Sequence, residues 1–477
     1  MEKRGSNKQL PKPLKLSQIL GPSFVILALG LGSGEIILWP FLTSKYGLGI
    51  AWGALLGITL QYFMNMEIER YALIKGESVF VGLRKMFKWA PIWFIISTFV
   101  AWAIPGIIAA SANVAAIILG FTEFKWIAII FSLLIGIILS AGKTVYGEVE
   151  KITKTILLIG TPLILLLTLY IAKPSGWLAL SKGFLGIGEK LATQPEGFWF
   201  LPLGISLATF LAAFAYAGAG GNLNLSQSIY VKEKGYGMGK FAQKMSGLFK
   251  SKKHETLKLQ GIECDTSKKS VANFKSWWKL ISAEHLIVFW FMGLMTMSLL
   301  MLLSYTTTFQ TGLGQKADIS FVIAEAGMIG QKTLPFFGIF FLVAVVIMLF
   351  QTQLGVLDST SRIMAENYAL AKHGHKETIK INLSRIYGFF LWAQILVGIV
   401  LFLINFKNPL LLIITAAVLN AVAMFVHLGM VNWMNFKILP KEYQAALWRK
   451  IVIVIIFLFL GFFSIFTLFT EISKLFV

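Results

Sequence analysis

The sequence predicts an all-α polytopic membrane protein of about eleven transmembrane helices, built as two inverted five-helix repeats whose helices 1 and 6 are broken. Three observations carry that expectation. First, the chain is 57% hydrophobic and only 14% charged, with a mean hydropathy of +0.75, a balance that excludes an ordinary soluble enzyme. Second, apolar runs long enough to cross a bilayer recur along its whole length. Third, two of those runs, five spans apart, are interrupted near their middles by glycine and polar residues.

The runs lie at about 20–43, 48–73, 91–120, 125–141, 153–172, 199–229, 280–304, 334–368, 383–404, 408–435 and 450–470. Pro105-Gly106 inside the third run predicts a kink. The expected divisions are a basic arm (1–19), a first repeat (20–172), an external loop (173–198), a second repeat (199–435) and a final loop with the eleventh helix (436–477).

Orientation follows from lysine and arginine in alternate loops. The N-terminal arm carries Lys3, Arg4, Lys8, Lys12 and Lys15, and the sixth loop, an insertion at about 231–279, holds twelve lysines against four acids. These positions place the N-terminus in the cytoplasm and the C-terminus outside, at the plasma membrane. The net charge of +21 is thereby assigned to cytoplasmic loops and lipid headgroups, and nucleic acid is not an expected partner. The insertion reads as a solvated loop or a regulatory element, with Trp277-Trp278 marking its return to the interface. The single cysteine, Cys264, excludes an intrachain disulfide. No cleavage site for a signal peptide is evident after the basic N-terminus.

The first interruption is Gly30-Leu31-Gly32-Ser33-Gly34-Glu35. Three glycines are poor material for the centre of a membrane helix, and unpaired backbone at that depth must be buried in protein or line a cavity. An ionisable side chain there is a functional candidate by default, so Glu35 is expected to face a substrate. The second interruption, Ala217-Gly218-Ala219-Gly220-Gly221-Asn222-Leu223-Asn224, adds glycines and two amides. The expected site therefore comprises Gly32, Ser33, Gly34, Glu35, Ala217, Gly218, Gly221 and Asn222, with Gln351 of span 8. Its ion ligands would be Glu35, Ser33, Asn222, Gln351 and the carbonyls near Leu31 and Ala217. The glycines, Gly220 among them, are expected to leave room for a partly hydrated ion.

Asn113, Asp358 and Asn420 are secondary polar or gating candidates. Asp358 stands four residues before Arg362, so the two read either as a gate or as an ion pair that satisfies itself. Asn113, Asn420 and His427 also read as interhelical hydrogen bonds. Glu67, Glu69 and Arg70 read as interfacial pairs at the cytoplasmic end of span 2. No nucleophile elbow, zinc-binding helix or phosphate-binding loop is present, so an enzyme is not expected and no cofactor is implied.

From its opening Gly-Pro, the stretch GPSFVILALGLGSGEIILWPFLTSKYGLGIAWGALLGITLQ resembles the first two helices of the Nramp family of divalent-metal transporters. The resemblance continues more weakly through Ala112-Asn113-Val114, Asn222-Leu223 and Gln351, and the count of eleven spans agrees. It implies alternating-access transport of a divalent cation by a monomer. Family members carry Asp-Pro-Gly-Asn where this chain has Gly32-Ser33-Gly34-Glu35, and Met-Pro-His where it has Ala219-Gly220-Gly221. An acid used by the family for proton movement falls on Asn113. Loss of the thioether and of the aspartate moves the expectation toward a hard ion, Mg²⁺-like or Mn²⁺-like, closer to the family's magnesium-transporting relatives, with proton coupling weak or absent. Two other readings stand. The same breaks resemble those of amino-acid transporters of this broken-helix fold, with Glu35 holding a substrate amine. A third reading is a scaffold or sensor that no longer transports.

Overall fold

The computed structural model describes residues 8–15, 19, 21–30, 32–141, 145–243, 256–312, 319–374 and 379–473. Leu31, whose carbonyl is an expected ligand, and the insertion's 244–255 segment lie outside them.

Among the described residues, each of the eleven apolar runs forms helix. Span 1 is α1 (Pro22–Gly30), a π-turn (Gly34–Leu38) and α2 (Trp39–Tyr46), bent by 41°. Span 2 is α3 (Ala51–Lys75), followed by the short α4 (Val79–Met86). Span 3 comprises α5 (Ala90–Trp102) and α6 (Gly106–Leu119), interrupted at the expected Pro105. Spans 4 and 5 are α7 (Lys125–Ala141) and α8 (Val145–Ile171).

The 173–198 connection is not a bare loop. It carries α9 (Pro174–Phe184), which turns by 117° from α8, because Pro174 at the first helical position suits a helix start. Beyond α9, Glu189 accepts from the amides of Leu48 (2.9 Å) and Gly49 (3.1 Å), fixing this connection onto the turn between spans 1 and 2.

Span 6 is α10 (Leu207–Ala215), a 3₁₀ turn (Gly221–Leu225) and α11 (Ser226–Lys234). Span 7 runs from α12 (Lys268–His285) through a π-turn (Leu286–Phe291) into α13 (Met292–Thr307). The helix α14 (Ser320–Lys332) leads into spans 8 to 11: α15 (Pro335–His373), α16 (Leu383–Leu403), α17 (Pro409–Ile438) and α18 (Leu447–Ser473). The strands β1 (Thr256–Leu257) and β2 (Ile379–Lys380) pair antiparallel, joining the insertion to the connection between spans 8 and 9.

Six of these spans are long and apolar enough to cross a membrane as single helices, and eight when each bent pair counts as one span. The others fall short for visible reasons. Span 4 is only 17 residues long, span 6 is broken, and span 2 carries Gln61, Asn65, Glu67, Glu69 and Arg70, all buried. The outer surface is apolar, for example Ile92, Ile96 and Val100 on α5 and Leu458, Phe462 and Ile465 on α18. Polar groups face inward, as a bilayer requires.

The described part of the insertion packs one face on the N-terminal arm while most of its lysines, Lys240, Lys258, Lys268, Lys269, Lys275 and Lys279, stay exposed. Leu10 N donates to Ser270 Oγ (3.0 Å), Asn273 to the Leu10 carbonyl (2.7 Å) and Trp277 Nε1 to the Pro11 carbonyl (2.9 Å). Trp277 is thus buried against the N-terminal arm, and half-buried Trp278 has its ring centroid 3.8 Å from the Arg70 guanidinium.

Candidate functional site

The two breaks lie against each other. A Cβ built on Gly30 would stand 2.4 Å from the Gly218 carbonyl oxygen, and one on Gly34 would stand 1.8 Å from that of Tyr216. Gly32 meets the Thr352 side chain at 2.7 Å, and Thr352 Oγ1 donates to the Ala28 carbonyl (3.2 Å), so span 8 closes the first break beside Gln351. Gly220 and Gly221 take left-handed conformations (φ 73° and 53°), which the turn into the 3₁₀ segment requires of glycine. A Cβ on Gly221 would collide with Asn420 Oδ1 at 1.8 Å. The room expected of these glycines is therefore occupied: they allow backbone and side chains to approach.

Each break has its own supports. Gln61 of α3 donates to the Ala215 carbonyl (2.9 Å) and accepts from Gly220 N (3.3 Å), replacing two backbone bonds that the break forfeits. Asn420 donates to Tyr216 Oη (3.0 Å) and His427 Nε2 lies 3.0 Å from the Gly221 carbonyl, so both are interhelical hydrogen bonds. Trp102 stacks on Tyr216 with ring centroids 5.5 Å apart. In span 1 the π-turn follows from Pro40. Trp39 N bonds to the Gly34 carbonyl, and Pro40 has no N–H to offer the carbonyl of Glu35.

Glu35 is fully buried, and neither carboxylate oxygen has a hydrogen-bond partner among the described residues. Its Oε1 would lie 3.7 Å from a Cβ on Gly293, a position flanked by Leu27 and Ile58, so the carboxylate points toward span 7. Asn222 is turned the other way, donating to Ser97 (2.8 Å) and Thr98 (2.9 Å) of span 3, while its Oδ1 is buried without a partner. Ser33 and Gln351 are buried, and Ala217 sits against Gly57 of span 2. No group of three or more His, Cys, Asp or Glu that could hold a metal ion occurs among the described residues.

Asp358 forms a 3.0 Å ion pair with Arg362 and accepts from Tyr387 (2.8 Å), the self-satisfied arrangement. Asn113 is half-buried on α6. The charged end of span 2 is not interfacial. Glu67 is buried between Arg70 (2.7 Å) and Arg449 (2.5 Å), whereas Glu69 is buried on its own and accepts from Gln227. Sequence reasoning missed Gln61, Thr352 and Pro40. The amides Gln61 and Asn65, four residues apart in the middle of span 2, were the available signal for Gln61; nothing local marks Thr352.

Two discontinuous helices held break to break inside a ring of continuous spans define a broken-helix, polytopic membrane architecture. Among solved structures, this chain is similar to a point mutant of the Eremococcus coleocola manganese transporter, with a TM-score of 0.72 and 11% identity over 100% of this chain and 92% of the other. A second mutant of that transporter gives a TM-score of 0.71 and 12% identity over the same shares. The chain is also similar to Mhp1, a nucleobase-cation-symport-1 family transporter in a closed conformation with bromovinylhydantoin bound, with a TM-score of 0.53 and 14% identity over 100% of this chain and 95% of the other. At these identities the likeness is one of fold. No family model and no curated protein sequence matches the chain.

Proposed function

We propose that the protein is a membrane transporter that carries a small divalent cation by alternating access, with the cation taken up at the apposed breaks. The observation that carries this reading is Glu35, a fully buried carboxylate with two oxygens that accept no hydrogen bond. An isolated charge in such surroundings costs far more than folding tolerates unless a positive partner or a proton neutralises it. The oxygens that the two breaks and span 8 carry are all hard donors (the Glu35 carboxylate and carbonyl, Ser33, Gln351 and Asn222), and a site that used them together would need Glu35 and Asn222 to turn toward each other from span 7 and span 3. That set suits Mg²⁺ or Mn²⁺ better than a soft metal. Likeness of fold to a manganese transporter supports the class, and the Nramp-like stretch around the first break supports the position.

A second reading, transport of an amine-bearing solute, is favoured by the neighbours of Glu35. The carboxylate stands alone beside Leu27, Ile58 and Gly293, a pocket wall that would accept an ammonium group with an apolar body.

Purified protein in proteoliposomes decides between them by uptake of Mg²⁺, Mn²⁺ and Ca²⁺ beside labelled amino acids. Saturable divalent uptake, lost in Glu35→Gln while the variant keeps its elution profile and melting temperature, is the expected result. Amino-acid uptake without metal flux would establish the second reading, and flux unchanged in Glu35→Gln would remove the site.

A further inference from the structure

The last two spans part at the end where they are joined. There α17 and α18 enclose a groove of about 430 Å³ that opens on the apolar outer surface of the bundle, beside the exposed side chains of Trp433, Phe436 and Val454. Its walls are Leu428, Ile453, Val454 and Phe457, and it closes where Phe457 lies on Gly429: a Cβ there would stand 2.8 Å from the ring. From Lys437 back to Leu428 the helix runs roughly 14 Å at 1.5 Å per residue, close to one leaflet of a ~30 Å hydrocarbon core.

The walls match hydrocarbon, but the mouth is built differently. Lys437 and Lys450, one from each helix, both lie against the Phe436 ring, 5.7 Å and 5.1 Å from its centroid. Lys450 gives one hydrogen to Gln444 Oε1 (3.2 Å), and among the described residues neither lysine forms an ion pair. The remaining charges do not balance them. Glu67, on the inner wall, is taken by Arg70 (2.7 Å) and Arg449 (2.5 Å), which leaves a positive charge over, and Lys441 and Glu442 of the connecting turn cancel. Asn435 adds an unmet acceptor. It lines the groove, is 5% exposed and donates to the Glu67 carbonyl (2.9 Å), while its Oδ1 is buried without a partner among the described residues. The complementary ligand carries an anion and a hydroxyl at one end and hydrocarbon at the other.

We propose that this groove holds one anionic phospholipid, with its phosphate between Lys437 and Lys450, a headgroup hydroxyl on Asn435 Oδ1 and an acyl chain along α17 and α18 down to Phe457. Basic pockets between membrane helices suit such headgroups, and Trp433 and Phe436 set the mouth at headgroup depth. The mouth lies on the side of the N-terminal arm and α12, whose Trp278 stands 3.8 Å from the Arg70 guanidinium and 5.2 Å from that of Arg449. The lysine pattern assigns that side to the cytoplasm, where anionic lipid is concentrated. A lipid there bridges α17 and α18 beside the Glu67–Arg449 pair that ties the last span to span 2. None of this depends on what the protein transports.

Mass spectrometry of the intact full chain, purified and exchanged into micelles holding equal amounts of phosphatidylglycerol and phosphatidylcholine, tests it. The expected result is one phosphatidylglycerol retained per chain in preference to phosphatidylcholine. Retention should weaken about fivefold in Lys437→Gln and in Lys450→Gln, and about 25-fold in the double variant. Val454→Trp, which fills the groove without touching a charge, should release the lipid, and Lys372→Gln, exposed on α15, should leave retention unchanged. Melting temperatures in lipid-free micelles identify variants that fail to fold; for those, Lys437→Arg and Lys450→Arg replace them and should keep the lipid. Equal retention of the two lipids, or phosphatidylglycerol undiminished in the double variant, would overturn the proposal. Glycerol 3-phosphate raising the melting temperature as far as the lipid does would overturn it in favour of a plain anion site. A dimer that Val454→Trp alone converts to monomer would give the groove to a second copy of the chain instead.

Discussion

Gly34→Ala tests the contact between the breaks directly. The added Cβ would stand 1.8 Å from the Tyr216 carbonyl oxygen, and ordinary contact begins at 3.4 Å, so the breaks must separate by roughly 1.6 Å (3.4 minus 1.8). The obstacle is backbone, held on span 6 by Gln61 and by the bond from Asn420 to the Tyr216 hydroxyl, and it cannot swing aside as a side-chain tip would. Overpacking of this kind costs about 1–3 kcal/mol, and the rigid obstacle points to the upper end. With about 2.1 cal/mol/K per residue, 3 kcal/mol in a chain of 477 residues lowers the melting temperature by roughly 3 °C. If the same energy falls on the closed arrangement of the breaks, its population drops by about 5- to 150-fold, and uptake with it. The internal control is Gly388→Ala on α16, where a Cβ would meet nothing within 4 Å; there, alanine should be neutral or stabilise by up to ~1 kcal/mol. Thermal melts and proteoliposome uptake of the two variants side by side are the assay. Gly34→Ala with the melting temperature and flux of Gly388→Ala would refute the claim that these glycines exist for close approach.

Three further outcomes are expected. Gln61→Leu removes the partners of the Ala215 carbonyl and the Gly220 amide, and should cost about 1–3 kcal/mol per unsatisfied group, read as a lowered melting temperature; Gln61→Glu, which keeps the acceptor for Gly220, should lose less. Hydroxyl donors Ser270 (2.5 Å) and Ser267 (2.7 Å) hold the Asp265 carboxyl below the usual aspartate range. A depressed acid contributes stability that is complete above its unfolded value and lost as pH falls through the lowered one, so amide exchange of Lys8, Gln9 and Leu10 should stay slow at pH 5 and accelerate only below about pH 4. Asp265→Asn should flatten that acid dependence. Asn113→Ala should leave uptake unchanged across pH; pH-driven uptake that required Asn113 would contradict the expectation that proton coupling is weak or absent.

Most of the fold was legible because its signals are local. A run of about 20 apolar residues declares a span whatever surrounds it, and Pro105 or the Gly220-Gly221 pair declares a break from the residues themselves. The two breaks were legible as interruptions, but their shape was not. Glycine serves equally to open space and to let atoms approach, and only the partner (Tyr216, Thr352, Asn420) tells the two apart. The same holds for the polar residues of span 2. Glu67 and Glu69 look alike in sequence, yet one lies between two arginines and the other meets Gln227, 158 residues on. The bond from the Trp277 indole to the Pro11 carbonyl was likewise out of reach, because its two ends are 266 residues apart.

The clasp between the arm and α12 also sets an order of events during synthesis. The Leu10 amide and its acceptor Ser270 are 260 residues apart, so the arm is complete long before anything exists to hold it. At a usual elongation rate of 5–20 residues per second, that interval is roughly 13–52 s. Span 6 precedes Ser270 and span 8 follows it, so the arm is clasped after the second break exists and before Thr352 can close the first. The nascent chain must therefore carry the glutamate of its first break through a long wait before span 8 closes over it.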